Sequence, residues 1–420
     1  MGIKQQLLLQ VQRDDDFAFD IPSVQLGMPA LQASFQHDIV RFLEADTYST
    51  AWELAPSVLG NATGVHGKWQ DSVRCLVEAM DSIERTAVTR REHRLHLLHL
   101  VNVFLLGLYL YHASERVREA FDRWIRATTP PKEYVLNGVR CGWRYSGGSE
   151  YGEFLYRWRL ASTAHDIGTL ISVAGWDPEL VRARQEELFR ACGATDPHGS
   201  FRRSTVCNLC ALRMLNRHVA EFSLLCHAMT HHVWPLGGSV YREHGLHGAL
   251  TLMEAMRLLF EQHGAEGGAP VVDKIGVGLV VWDQLLLETS ILHALQAVAL
   301  HNVDIHTPAY VGGHLPPLRL CASIGRCATG RRLYDLDERP LAWLLKISDS
   351  LQEWDKPSLR ELGDRVNLAR MTDDPVMEID WESPLGRFVV GGLTAEQVAK
   401  LARVEKLTSP RGLFEFRQAP

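Results

Sequence analysis

The 420-residue chain carries no strong excess of either charge: 44 Lys and Arg stand against 50 Asp and Glu, a formal net charge of −6. Proteins that hold nucleic acid or an anionic membrane surface concentrate positive charge to meet phosphates, so this balance disfavours both functions. A small phosphorylated ligand stays admissible, because one local cation or a bound metal ion suffices for it. No apolar run spans a bilayer comfortably. The longest, residues 97–111, contains His99 and Asn102 and reads as a buried core helix. The first dozen residues lack a secretory pattern, since Gln and Arg interrupt the run at Leu7-Leu8-Leu9. Cysteines are few and scattered. Cys207 and Cys210 make a CxxC pair, but there is no second pair to complete a structural zinc site. They read as buried thiols, and a reducing cytoplasm is the expected location. Repeats and low-complexity tracts are missing. Gly147-Gly148-Ser149 and Gly312-Gly313 lack the spacing of a phosphate-cradling loop.

What is present is a globular composition, 46% hydrophobic and 22% charged, enough to build a sizeable core. Apolar residues recur at three- and four-residue spacing over residues 92–113, 151–172, 178–192, 246–263, 275–301 and 339–353. That is the period of helices, and several of these segments are apolar nearly all round, as buried helices are. The expected fold class is therefore mainly α. Turn signals at Pro22, Pro29, Pro56 and residues 60–67 break up the start of the chain. Residues 1–84 are expected to form an N-terminal helical extension, residues 85–370 the main helical domain, and residues 371–420 a small α+β appendage. In that appendage, strands are expected over 376–381 and 386–390, with Gly391-Gly392 ending the second. Thr394 is placed to cap a short helix over 395–404 that has Glu396 and Gln397 in its first turn.

The chemistry-bearing feature is an ordered series of His and Asp residues in or beside these helices: His99, His165-Asp166, His244, His301 and Asp349. His96, His99 and Asn102 share one face of an apolar helix, and burying such a polar stripe costs free energy unless a partner such as a metal ion satisfies it. His165 and Asp166 close a helix. Adjacent helical residues diverge by about 100°, an orientation that suits two ions about 3.5–4 Å apart, with the carboxylate between them. His244 precedes Gly245 and the apolar run from Leu246. His301-Asn302 ends another apolar segment, and Asp349 sits in a Leu-rich helix. Four imidazoles and two carboxylates are a mixed nitrogen and oxygen set suited to divalent iron, manganese, cobalt, nickel or zinc. The rivals are His93 and His96 on the first helix, His227, His231, His232 and His247 around His244, and His293 and His306 near His301.

The order His … His-Asp … His … His … Asp, with the strings Ala164-His165-Asp166-Ile167-Gly168 and Glu243-His244-Gly245, resembles the HD superfamily of metal-dependent phosphohydrolases. The resemblance covers roughly residues 90–360. It implies a helical HD-domain fold for the main domain and two divalent transition-metal ions as cofactors. His99, His165, Asp166 and Asp349 would hold the first ion; Asp166 would bridge to a second, completed by His244 and His301. It further implies hydrolysis of a phosphoester or phosphoanhydride, in a nucleotide or small phosphorylated metabolite, by attack of a metal-bridging hydroxide. An oligomer is compatible with this reading. Many members carry Lys three residues after the Asp to contact phosphate. Here that position is Thr169, so the positive contact falls to Lys346, three residues before Asp349, or to Arg159 or Lys356. Two alternatives keep the fold: a mixed-valent di-iron oxygenase, and a non-catalytic ligand-binding or regulatory module.

Overall fold

The computed structural model describes residues 3–13, 29–62, 77–85, 95–129, 132–136, 139–143, 150–172, 183, 186–190, 245, 248–249, 252, 271–275, 278–282, 291–301, 334–352, 377–380, 387–409 and 412–418. Three helices lead the chain: α1 (Ile3–Arg13), α2 (Pro29–Glu44) and α3 (Tyr48–Ala62). Pro29 opens α2 where its missing N–H has no helical partner to lose. Pro56, by contrast, lies inside α3 and not at the turn its residue type suggests. The helix carries through because Ala51, Ala55, Val58 and Leu59 of the same element are fully buried, and α3 packs on α2 and on the next long helix. That burial outweighs one lost hydrogen bond.

The next helix, α4 (His96–Ala113), is the axis of the core, and every residue from His96 to Tyr111 is buried. Among the described residues it alone is long and apolar enough to cross a membrane, at 18 residues, and its surface is spent on neighbouring helices. Its start has no capping side chain of its own. Glu84, from a helical stretch at residues 77–85, accepts hydrogen bonds from the His96 and Leu97 amides at 2.5 and 3.1 Å. A buried carboxylate there satisfies two of the four donors a helix N-terminus leaves open and meets the positive end of the helix dipole.

Ser114 caps α5 (Glu115–Thr128), its hydroxyl accepting from the Val117 amide. The hairpin of β1 (Lys132–Leu136) and β2 (Val139–Trp143) follows. Then come α6 (Glu150–Ala164) and the short α7 (Ile167–Ser172), with His165 and Asp166 at the turn between them. The α6 helix runs against both α4 and α5. Two antiparallel strands, β3 (Val271–Ile275) and β4 (Gly278–Trp282), precede α8 (Leu292–Leu300). The apolar run over 275–301 is therefore not one helix. Its first part pairs as a hairpin, for which Val271, Val272, Val280 and Val281 have the β-branched shape. The segment 178–192 is helical where described, at residues 183 and 186–190, as is 246–263 at 248–249 and 252.

Beyond lie β5 (Tyr334–Asp335) and α9 (Pro340–Gln352), the latter packed on α4, α5, α6 and α8. The end of the chain adds β6 (Met377–Asp380), β7 (Arg387–Leu393), α10 (Ala395–Leu407), β8 (Thr408–Ser409) and β9 (Phe414–Gln418). β6 pairs antiparallel and β9 parallel with β7. Thr394 and Gln397 form a reciprocal capping box at the start of α10. Strand β7 runs through Gly391-Gly392 to Leu393, because the register shift with β9 after Val390 absorbs the glycines. These elements meet the preceding ones through parallel pairing of β8 with β5 and through Phe414, whose ring lies 6.3 Å from that of Trp343 in α9. The described architecture is mainly α-helical with small sheets attached.

Candidate metal centre

His99 lies in the first turn of α4, His165 and Asp166 follow the last turn of α6, His301 ends α8, and Asp349 lies in the last turn of α9. Four helices thus deliver their polar residues to one place. His99 Nε2 stands 3.1 Å from Asp349 Oδ1, 3.2 Å from His165 Nε2 and 3.7 Å from Asp166 Oδ2. His165 Nε2 stands 3.7 Å from Asp349 Oδ1 and 3.9 Å from Asp166 Oδ2. The other carboxylate oxygen, Asp166 Oδ1, is 3.8 Å from His301 Nε2. Asp166 therefore faces two ways, Oδ2 toward His99 and His165 and Oδ1 toward His301. Four of these side chains are essentially buried, whereas that of Asp349 is 16% exposed. Asp349 is thus the most exposed of the five side chains.

Two of the imidazoles are oriented by the same local device. His165 Nδ1 lies 2.8 Å from the Ser162 carbonyl and His301 Nδ1 lies 2.6 Å from the Val298 carbonyl, each three residues back along its own helix. A carbonyl only accepts, so Nδ1 carries the proton, and in the neutral ring Nε2 keeps its lone pair. Both lone pairs then face the carboxylates. Fixing a ring nitrogen on a backbone carbonyl is how metal-ligating histidines are held.

The donor set fits a metal ion. Ligands around an ion with bonds of about 2.1 Å stand about 3.0–3.4 Å apart, and the tightest donor pairs here, at 3.1 and 3.2 Å, fall in that range. His99, His165 and Asp166 have ligand atoms within 4.8 Å of one another. Imidazole nitrogens and carboxylate oxygens gathered in a buried space need a shared proton or a cation among them, and a metal ion supplies the latter. Nearby polarity points the same way. Asn102 lies one turn beyond His99; Ser348 and Gln352 flank Asp349. All three are fully buried, and their side-chain polar atoms have no hydrogen-bond partner among the described residues. A polar ligand reaching them would satisfy them.

His244 lies outside the described residues, as do His93, His227, His231, His232, His247, His306, Lys356 and the Cys207–Cys210 pair. Gly248, four residues after His244, abuts the His165-Asp166 turn: a β-carbon there would stand 3.0 Å from Ile167 Cγ2 and 3.3 Å from the Ala164 carbonyl oxygen. His96 turns to Glu84, its Nδ1 3.6 Å from Oε1. His293 packs edge-on against Trp124, with ring centroids 4.9 Å apart. Thr169 is buried in the first turn of α7, its amide bonded to the Asp166 carbonyl at 2.9 Å. The Lys346 ammonium lies 5.7 Å from the ring centroid of Tyr334. Arg159 is buried in α6.

Behind the cluster, α6 is anchored by residues the sequence reading did not single out. Arg157 and Glu153 form a fully buried ion pair at 2.9 Å. Arg157 also donates to the Thr128 and Thr129 hydroxyls at 2.8 and 2.7 Å, and its guanidinium lies 4.6 Å from the Trp124 ring centroid. Burial lowers the Arg157 pKa, and Glu153 opposes that shift. The i, i+4 spacing of Glu153 and Arg157 was the one available signal. Nothing in the local sequence marks Glu84 as the cap of α4.

Compared with family models, with curated proteins and with solved structures, the chain matches none.

Proposed function

We propose that the protein is a metal-dependent phosphohydrolase of the HD type, cleaving a phosphoester or phosphoanhydride in a nucleotide or small phosphorylated metabolite. The observation that carries the reading is the convergence of His99, His165, Asp166 and Asp349, with His301 on the far oxygen of Asp166. In it, His99, His165, Asp166 and Asp349 hold one ion, and Asp166 with His301 contributes to a second; His244 is the expected further ligand. The main helical domain has the HD fold, and residues 371–420 form its α+β appendage. Two such ions supply an acidified water as nucleophile and positive charge for the phosphoryl oxygens.

The chain's own residues set up the rest. Ser162 and Val298 present their carbonyls to His165 and His301, so that each ring offers Nε2 inward. Burial of His99, His165 and Asp166 excludes bulk water and strengthens every charge interaction there. The partly exposed side of Asp349 admits the substrate, and the buried amides of Asn102 and Gln352 offer donors and acceptors to its polar atoms. Thr169 and Lys346 are the residues assigned to the phosphate, Thr169 standing where a lysine would serve many HD hydrolases.

The test is metal analysis of protein purified without chelator, wild type beside Asp166→Ala, followed by a phosphoester panel with Mn²⁺. Two ions per chain in wild type, their loss in the variant with helical circular dichroism retained, and turnover on the panel are expected. Metal-free wild type that also refuses added Mn²⁺ and Fe²⁺ overturns the reading. Oxygen consumption that requires iron and that manganese does not support would replace hydrolysis with oxygenase chemistry.

A further inference from the structure

We infer that Tyr334 is a positioning residue for His301, and that through it the C-terminal unit holds the second half of the metal centre in place. This rests on the reading of Asp166 and His301 as ligands of a second ion. The last carbonyls of a helix have no partners within it. At the end of α8 three of the local groups are tied nonetheless. The His301 amide donates to the Ala297 carbonyl at 3.0 Å, and the His301 ring donates to the Val298 carbonyl at 2.6 Å. The Leu300 carbonyl, in the peptide that joins His301 to the helix, accepts from the Tyr334 hydroxyl at 2.5 Å. Tyr334 is fully buried. With both sides of the Leu300–His301 peptide fixed, the ring has one direction left for Nε2, which is toward Asp166 Oδ1.

Tyr334 is itself held from two sides. It pairs with Thr408 in the parallel β5–β8 ladder, so the strand that follows α10 sets its position. Its ring also lies under the Lys346 ammonium, one turn before Asp349 on α9. Residues 394–418 are thus connected to the metal centre by a chain of three contacts: Thr408 to Tyr334, Tyr334 to Leu300, and Leu300 to its covalent neighbour His301. Removing the hydroxyl takes this donor away from a buried carbonyl. The peptide relieves this by turning, which swings the imidazole away from Asp166.

The experiment is Mn²⁺ titration of the full chain, metal-stripped, read by electron paramagnetic resonance, which separates one bound ion from a spin-coupled pair. Wild type, Tyr334→Phe and Ile39→Ala are compared, the last a buried truncation in α2, which packs on α1 and α3. In Tyr334→Phe the first ion binds as in wild type, and the second binds roughly 10–100-fold more weakly, with the coupled signal appearing only at high Mn²⁺. Ile39→Ala lowers the thermal midpoint and leaves both affinities unchanged. Tyr334→Phe that takes up both ions like wild type overturns the inference, as does equal weakening of both ions in both variants. Wild type that never shows a coupled pair is a different result and removes the two-ion reading itself.

Discussion

Gly107 is a point of close approach between α4 and α6, and Gly107→Ala is the sharpest test of how these helices are packed. A β-carbon at this position would lie 1.9, 2.4 and 2.8 Å from three ring atoms of Trp158. Ordinary contact begins near 3.4 Å, so the ring or the helix must move by about 1.5 Å. Trp158 has nowhere to go: it is fully buried, and its Nε1–H donates to the Phe104 carbonyl at 3.0 Å. Overpacking of this kind costs about 1–3 kcal/mol, and the depth of the overlap puts this case at the upper end. Loss of the indole hydrogen bond adds about 1 kcal/mol. The better helix propensity of Ala returns about 1 kcal/mol. The net expectation is a destabilisation of about 3 kcal/mol, read as a lower urea midpoint at constant slope. The same displacement reaches the site. His99 and His165 face each other across the same pair of helices, about 12 Å along α4 from Gly107, so on the proposed function Mn²⁺ affinity falls together with stability. A variant within about 0.5 kcal/mol of wild type would refute the close crossing of α4 and α6.

Glu153→Ala leaves the Arg157 guanidinium buried without its carboxylate, and a loss of about 3–5 kcal/mol is expected in the urea midpoint. The double change Glu153→Leu with Arg157→Met returns much of it; a double variant as unstable as the single one would show that the pair is needed for more than charge neutrality. A pH effect is expected at α1. Burial pushes the Tyr109 hydroxyl up to about 12, and in the folded chain it donates to Gln6 Oε1 at 2.7 Å. A raised acid stabilises the fold fully below its unfolded pKa and loses that contribution as pH rises through its folded pKa. The window is therefore pH 10 to 12, with at most about 2–3 kcal/mol at stake. Hydrogen exchange of α1 amides should accelerate there in wild type and less in Tyr109→Phe. Equal acceleration in the two proteins would assign the effect to another group.

The mainly helical class was legible because α4, α6, α9 and α10 carry their own period and stops. The second hairpin was not, and the first went unread. In β3 and β4 the apolar run is continuous with that of α8, and a short apolar run has no period that separates a buried strand from a buried helix. In β1 and β2 the signal was there: the strands are separated by Asn137-Gly138, the pairing most favoured in two-residue hairpin turns. Pro56 misleads for the opposite reason. A residue-level rule marks it as a breaker, and the tertiary burial of α3 overrides the rule. The strand β9 pairs with β7 across an intervening helix, and no local pattern announces a partner of that kind.

The cluster shows what a sequence can and cannot carry about a site. His99, His165, Asp166, His301 and Asp349 could be picked out in order because each is a polar residue in or at the end of an apolar helix, where only a partner justifies it. Which ring nitrogen faces the centre is decided by the carbonyls of Ser162 and Val298, three residues back in each case. That offset is a property of any helix C-terminus and leaves no mark in the residue types. The same holds one step further out. Glu84 fixes the start of α4 and Tyr334 fixes the end of α8, both from outside the helices they steady. A carboxylate and a phenol in those places look like any others until the chain is folded. The donor atoms are written in the sequence, whereas their aim is written in the packing of the elements around them.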